Sequence, residues 1–328
     1  MKYASIDIGT NTLRLLIAEA DSSGHLTPLV YRRAITRLGG GYSSSAGIDP
    51  MSAQRAFAAL EDFKRVIDEM DGAKVEAVAT SVVRRAKNKD WFLNEIEKRT
   101  GIRVSVISGD EEARLSLLGV LSVLHDSNGT RLVMDIGGGS TEFIATAHGA
   151  FRGAWSMEMG VVHLTEAHLH SDPPSRAELA ALKREISGVI AELKRRMAKD
   201  GAAPSDYGAA AGAVFVGTAG TVTTLAAIDQ GLEVYDRMLI NNHTLTKPAI
   251  KRIYQYLAGL TLKERQTILN LEQGREDLII PGALIVLEVM DEFGFKELKV
   301  SDAGLLEGII IRKIPGGRSA EKARKAEV

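Results

Sequence analysis

The chain has 328 residues, 45% of them hydrophobic and 25% charged, with 41 lysines and arginines against 42 acids and a net charge of −1. That balance suits a globular protein with no global pull towards nucleic acid or an anionic membrane, so any anion site must be a local cluster. The lack of cysteine excludes disulfides, thiolate zinc sites and a cysteine nucleophile.

A chain this long usually divides, and two domains of about 100 to 200 residues each are expected. The N-terminus enters a strand-like run at once, without the basic and apolar regions of a signal peptide. No window reaches the about 18 apolar residues that a membrane span needs. A cytoplasmic enzyme with neither membrane nor nucleic acid as partner is expected.

Residues 3–8 alternate and end at Asp7-Ile8-Gly9-Thr10-Asn11-Thr12, after which Leu13, Leu15, Leu16 and Ile17 resume a strand, which predicts a β-hairpin. Further strand is expected over 26–38, ending in the loop Arg37-Leu38-Gly39-Gly40-Gly41. Between Asp49 and Met70, Ala56, Leu60, Phe63, Val66, Ile67 and Met70 recur at helical spacing. A short buried-type strand over 75–79 runs into Thr80-Ser81-Val82-Val83-Arg84-Arg85, followed by helix over 89–99 and strand over 103–107. Ser108-Gly109-Asp110-Glu111-Glu112-Ala113-Arg114 then opens an apolar helix. The polar turn Asp126-Ser127-Asn128-Gly129 is the predicted boundary, dividing 1–126 from 127–302.

The second half starts with the apolar run Leu132-Val133-Met134, which leads into Asp135-Ile136-Gly137-Gly138-Gly139-Ser140-Thr141-Glu142. Strands are expected over 132–158, a long amphipathic helix over 175–199 behind Pro173 and Pro174, and a surface loop over 201–212. Val214-Phe215-Val216 is a strand entering Gly217-Thr218-Ala219-Gly220-Thr221 and a helix. Helices over 247–259, 261–270 and 279–293 and a strand over 298–300 complete the domain, and Ser301-Asp302-Ala303-Gly304-Leu305 starts a terminal helix. The tail 315–328 is expected to be disordered.

One observation organises these elements. Asp7-Ile8-Gly9-Thr10-Asn11-Thr12 aligns with Asp135-Ile136-Gly137-Gly138-Gly139-Ser140, each between apolar strands, so one device occurs twice, about a domain apart. Glycines let backbone N–H groups close on an anion that a Cβ would keep away. Gly9, Thr10, Asn11 and Thr12 in one loop, and Gly137, Gly138, Gly139, Ser140 and Thr141 in the other, are therefore candidate phosphate ligands. Two such hairpins would hold a phosphate chain in a cleft between related domains. Asp135 and Glu142 could hold a divalent cation or orient a water beside the anion, and Asp7 is the counterpart of Asp135. Arg84 offers a planar bidentate donor. Gly217, Thr218 and Gly220 form either a third phosphate loop or a helix start used for packing, and the first is favoured. Glu112, in the first turn of a helix, could accept a proton from water or orient it.

These stretches resemble the exopolyphosphatase and guanosine pentaphosphate phosphohydrolase family, within the actin-like sugar-kinase and chaperone ATPase superfamily. The matching motifs are DIGTNTLRLLI from Asp7, ATSVVRRAKN from Ala79, ISGDEEAR from Ile107, DIGGGSTEF from Asp135, MGVVHLTE from Met159, GTAGTVTTLAA from Gly217 and SDAGLLEG from Ser301, in the family's order. The resemblance implies an α/β fold of two RNase H-like domains around a central cleft, with a terminal helix near 303–314 packing back on the first. It implies Glu112 as general base, with Asp135 and Glu142 linked to Mg²⁺ (or Mn²⁺) and to water positioning. It also implies inorganic polyphosphate as substrate, with pppGpp as a further one, and a homodimer. One position departs: His163 stands where the family's MGxVRLTE pattern commonly has arginine.

Blander readings compete. Glu111 and Glu112 are also the acids a helix N-terminus favours, and the resemblance selects Glu112 for the water and leaves Glu111 structural. Arg84 and Arg85 could be a solvated pair. Arg14 either lines the cleft or bridges a strand face, the second being favoured. A zinc site built on His163, His168 and His170 is not favoured. Two other functions stay open: an ATP-using kinase or ATPase of the same superfamily, and a non-catalytic polyphosphate or alarmone sensor.

Overall fold

The computed structural model describes residues 1–21, 25–125, 129–268, 271 and 274–314. The predicted turn at 126–128 and the predicted tail lie outside them. The chain forms two compact units, Met1–Ser122 with the segment from Gly304 onwards, and Val123–Ala303.

In the first unit β1 (Lys2–Ile8), β2 (Thr12–Ala20), β3 (Leu26–Ile35), β4 (Lys74–Ala79) and β5 (Val104–Val106) form one sheet in the order β3-β2-β1-β4-β5. The first three strands pair antiparallel, and β1, β4 and β5 run parallel. Alternation along β1 sorts its side chains to two faces. Ala4, Ile6 and Ile8 pack in a cluster with residues of α1 (Pro50–Asp68), α2 (Ser81–Arg85) and α3 (Lys89–Thr100). Tyr3 joins Leu16, Ala18, Leu306 and Ile310 on the other side. Asp49 starts α1 by accepting the Ser52 N–H (2.9 Å), with Pro50 at the first helical position, where its missing N–H costs nothing. The helix α4 (Gly109–Val123) follows β5.

The second unit holds β6 (Arg131–Ile136), β7 (Thr141–Ala147), β8 (Ala150–Met157), α5 (Val161–His168), α6 (Arg176–Lys199), β9 (Val214–Thr218), α7 (Ala219–Gln230), α8 (Arg237–Ile240), β10 (Thr244–Thr246), α9 (Lys247–Ala258), α10 (Leu262–Arg265), α11 (Ile279–Phe293) and β11 (Glu297–Val300). Its sheet runs β10-β11-β9-β6-β7-β8. Read from β8, the first five strands repeat the first unit: three antiparallel, then two parallel to the central one. The motif repeat in the sequence is thus a repeat of topology, as two RNase H-like domains require. The terminal helix α12 (Leu305–Lys313) belongs to the first unit.

Some elements depart from expectation. α5, α8 and β10 were not anticipated, since each spans eight residues or fewer, too short for hydrophobic period to register. The expected surface loop 201–212 contains two short 3₁₀ turns and buries Tyr207. The expected helix 261–270 is a helix only over Leu262–Arg265, and 269–270 lie outside the described residues.

Candidate functional site

Each unit carries one half of the motif repeat, and the two hairpin turns have the same geometry. In the first, the Gly9 N–H donates to the Thr12 carbonyl at 3.2 Å, and a Cβ on Gly9 would lie 2.9 Å from that oxygen. In the second, Gly137 N–H donates to the Ser140 carbonyl at 2.9 Å, and its Cβ would meet the same 2.9 Å contact. Only glycine fits either turn without displacing the strand that follows.

The first loop is held from behind by the segment after β3. Thr36 and Arg37 both donate backbone N–H groups to the Asn11 carbonyl (3.0 and 2.9 Å), and Gly39 donates to the Thr10 carbonyl (2.7 Å). Thr10, Asn11 and Thr12 are buried. Asp7, 4% exposed, has its Oδ2 held by Arg14 through Nε (2.9 Å) and Nη2 (2.6 Å), while its Oδ1 is buried with no hydrogen-bond partner. A buried acceptor left unmatched costs about 1–3 kcal/mol, so this oxygen fits a group that donates or coordinates.

Arg84 and Glu112 come together in the same unit. Arg84 Nη1 donates to the Ile107 carbonyl (2.9 Å) and to Glu112 Oε2 (3.1 Å). Glu112 sits in the first turn of α4, where its N–H donates to the Ser108 carbonyl (2.9 Å). Glu111 points elsewhere and accepts from Arg312 Nη1 at 2.6 Å, tying α4 to α12.

In the second unit Asp135 and Glu142 are cross-strand partners in the β6/β7 register. Glu142 is 2% exposed and accepts from Ser156 Oγ at 2.7 Å on the neighbouring strand. Carboxylates directly opposite repel, and a shared divalent cation relieves that repulsion. Among the described residues no group of three or more histidine, cysteine or acidic side chains could enclose a metal. Asp135 and Glu142 offer oxygen donors, the ligand type that hard divalent cations take. His168 bonds Glu185, and His163 Nε2 lies 4.0 Å from the same carboxylate.

The Gly137–Thr141 loop is braced by α5. Val161 and Val162 N–H groups donate to the Gly137 and Gly138 carbonyls (3.1 and 2.9 Å), and Thr141 Oγ1 donates to the Met159 carbonyl (2.5 Å). A Cβ on Gly160 would lie 2.3 Å from the Gly138 carbonyl oxygen, so the MGVVHLTE motif contributes a glycine that lets α5 start against the loop.

The third loop spends its side chains on packing. Gly217 faces Val222 and Leu298, and Thr218 Oγ1 donates to the Ala303 carbonyl (3.0 Å). Ala219 has a φ of 68°, a left-handed conformation that a non-glycine residue holds only under constraint. The Arg275 guanidinium lies against Gly220, where a Cβ would be 1.8 Å from Nη1. Arg275, Gly39, Gly160 and Ser156 were not singled out in the sequence, because each acts across long separation and only Gly39 and Gly160 stand inside quoted stretches.

Comparison with known proteins accords with this arrangement. The model of the Ppx/GppA phosphatase family matches residues 16–316. Exopolyphosphatase 2 of Mycobacterium tuberculosis is 32% identical over 94% of this chain and 98% of its own length. The crystal structure of an exopolyphosphatase from Cytophaga hutchinsonii superposes with a TM-score of 0.86 at 27% identity, covering 97% of this chain and 99% of that one. The Aquifex aeolicus PPX-GPPA enzyme gives a TM-score of 0.77 at 32% identity over 94% and 98%. Twin glycine hairpins, a topology repeated with them and a full-length match in sequence and structure make this chain a member of the Ppx/GppA phosphatase family.

Proposed function

We propose that this chain is an exopolyphosphatase, removing terminal phosphate from inorganic polyphosphate with Mg²⁺ (or Mn²⁺) and acting also on the 5′ phosphate of pppGpp. The observation that carries this reading is the contact of Glu112 with Arg84, a candidate base held by a cation in a unit that also presents a phosphate-type loop. In the reaction a water oxygen attacks the terminal phosphorus and the bridging P–O bond breaks. Glu112 takes the water proton, and the shortened chain leaves with its oxygen charged. Backbone N–H groups of Gly9–Thr12 and Gly137–Thr141 bind non-bridging oxygens, and Arg84 offsets charge as it builds. Asp135 and Glu142 would hold the divalent cation, which supplies charge neutralisation at the phosphates when bound. The names of the relatives, the paired acids of β6 and β7 and the orphaned Asp7 Oδ1 support the assignment.

The test is phosphate release from short polyphosphate, long polyphosphate and pppGpp, with and without Mg²⁺, in the wild type and in Glu112→Gln. Release that needs the metal and falls at least about 100-fold in the variant is expected. Near-normal release by Glu112→Gln would remove that residue from the mechanism. ATP turnover faster than polyphosphate turnover would favour a kinase or ATPase, and tight binding without release would favour a sensor.

A further inference from the structure

A cavity of about 240 Å³ lies in the first unit, away from Asp7 and the Gly9–Thr12 loop, where α12 meets the first residues of β1 and β4. Its floor is apolar: Tyr3, Ile309 and Ile310 are 4%, 0% and 1% exposed. Its rim carries Lys74, Glu76 and Lys313. Tyr3 and Lys74 are register partners on β1 and β4, so their side chains leave the sheet on one face, and the Lys74 ammonium stands 6.0 Å from the Tyr3 ring centroid.

The charges of the rim are unevenly used. Lys313 Nζ is 3.0 Å from Glu76, and Glu76 also accepts from Arg312 Nη2 at 3.2 Å. Lys74 has no carboxylate partner among the described residues. Of the two lysines only Lys313 meets the rim's glutamate, which already has a second cation in Arg312. Lys313 can turn to a ligand without leaving Glu76 unpaired, and Lys74 is available as it stands. A dry floor beneath a cationic rim recognises a molecule that is apolar at one end and anionic at the other. A polyphosphate segment is the wrong occupant, because its oxygens would be buried against Tyr3 and two isoleucines at a desolvation cost. The volume is below the roughly 300–1,000 Å³ of sites for drug-sized ligands, which limits the guest to about one ring or a short branched chain.

We propose that this cavity binds a small organic anion, with Lys74 and Lys313 taking its charge and Tyr3, Ile309 and Ile310 its apolar body. Occupancy would be felt at the candidate base. Arg312 bridges Glu76 of the rim to Glu111, the residue before Glu112, and drawing Lys313 away from Glu76 pulls Arg312 towards it and off Glu111. The bound anion is therefore an effector.

Titration calorimetry with benzoate, phenyl phosphate and the uncharged benzyl alcohol tests the binding directly, and its readout does not depend on phosphate release. One saturable site for benzoate is expected, unchanged in Glu112→Gln, weakened roughly tenfold or more in Lys74→Gln and Lys313→Gln, and lost in Lys74→Trp, where a large ring on the face of Tyr3 closes the mouth. Phenyl phosphate should show a component with the same dependence on Lys74 and Lys313, and any component that persists in Lys74→Trp belongs to the phosphate loops. Benzoate binding that survives Lys74→Trp, benzyl alcohol binding as tightly as benzoate, or no benzoate binding at all would overturn the proposal. Saturating benzoate should also change the rate of phosphate release in the wild type and not in Lys74→Trp, a readout that alone rests on the exopolyphosphatase reading. Binding with no change of rate would overturn the effector role.

Discussion

Gly308→Ala tests how α4, the helix that carries Glu112, is held. Glu111, Leu115 and Gly119 along α4 face Arg312, Gly308 and Gly304 at the start of and along α12, four residues apart on each side, so the helices lie antiparallel in direct contact. A Cβ on Gly308 would sit 1.8 Å from the Leu115 carbonyl oxygen and 2.6 Å from its carbon. Ordinary carbon–oxygen contacts begin near about 3.3 Å, so the helices must part by roughly 1.5 Å. Alanine gains about 1 kcal/mol of helix propensity, but overpacking costs about 1–3 kcal/mol and loosening the buried Leu305, Ile309 and Ile310 adds to it. A net loss of about 2 kcal/mol, or roughly 4–8 °C in the melting temperature of the first unit, is expected. Differential scanning calorimetry is the assay, because two units need not melt together. Gly188→Ala is the control: Gly188 lies exposed within α6 with nothing within 4 Å of its Cβ position, so the same substitution should stabilise by about 0.4–1 kcal/mol. If Gly308→Ala melted at or above the wild type, the helix contact would not be as close as described and the argument for how α4 is placed would fail.

Arg84→Gln separates two roles for that side chain. If Arg84 positions Glu112, kcat should drop about 10–100-fold, and Arg84→Lys should not restore it, since the lysine side chain is one bond shorter and does not carry its ammonium to the place that Nη1 holds against both the Ile107 carbonyl and Glu112. A loss confined to KM and rescued by lysine would leave only phosphate gripping. Asp7→Asn and Arg14→Gln, measured singly and together by thermal melting, should show a coupling of about 0.5–3 kcal/mol, whereas additive effects would deny the pair an energetic role. Glu178 gives a pH dependence. The Ser171 hydroxyl, then the backbone and side chain of Ser175 and the His170 N–H, hold its carboxyl far below the usual range. A depressed folded value means that its stabilisation is complete above the unfolded pKa of about 4.3 and is lost as pH falls below it. Glu178→Gln should therefore weaken the α6 start at neutral pH and flatten the acid-side loss of melting temperature. An unchanged acid slope would show that the capping box does not govern it.

The fold was legible where chemistry is local. Gly9 and Gly137 announced their turns because no other residue fits there, and Pro173 and Pro174 announced the start of α6 because proline acts on its immediate neighbours. The hydrophobic period of Ala56, Leu60 and Phe63 predicted α1, which they anchor from one side. What stayed hidden depends on residues far apart in sequence. Arg14 seemed a strand-face salt bridge, and it is one, but its partner is Asp7, so the bridge belongs to the phosphate loop's own strand pair. Arg84 was read as a phosphate ligand from its place after a strand, and nothing nearby in sequence shows that Ile107 and Glu112 would meet it. Arg275 lies 55 residues beyond Gly220, and only the folded chain brings its guanidinium over that glycine.

The two hairpins share a backbone and differ in charge, and that difference accounts for where a cation is needed. Seven residues after each aspartate, on the paired position of the next strand, the first hairpin has Arg14 and the second has Glu142. In the first unit the aspartate is neutralised from within its own sheet, so the loop beside it can face a phosphate without help. In the second, a second carboxylate, Glu142, takes that position opposite Asp135. On the proposed reading the cation is therefore held chiefly by the second unit. Glu142→Gln should raise the half-saturating Mg²⁺ concentration and lower the rate of phosphate release, while Arg14→Gln should slow release without moving the half-saturating Mg²⁺. If the two substitutions moved that value equally, the asymmetry between the hairpins would carry no meaning for the metal, and the cation would have to be held by both.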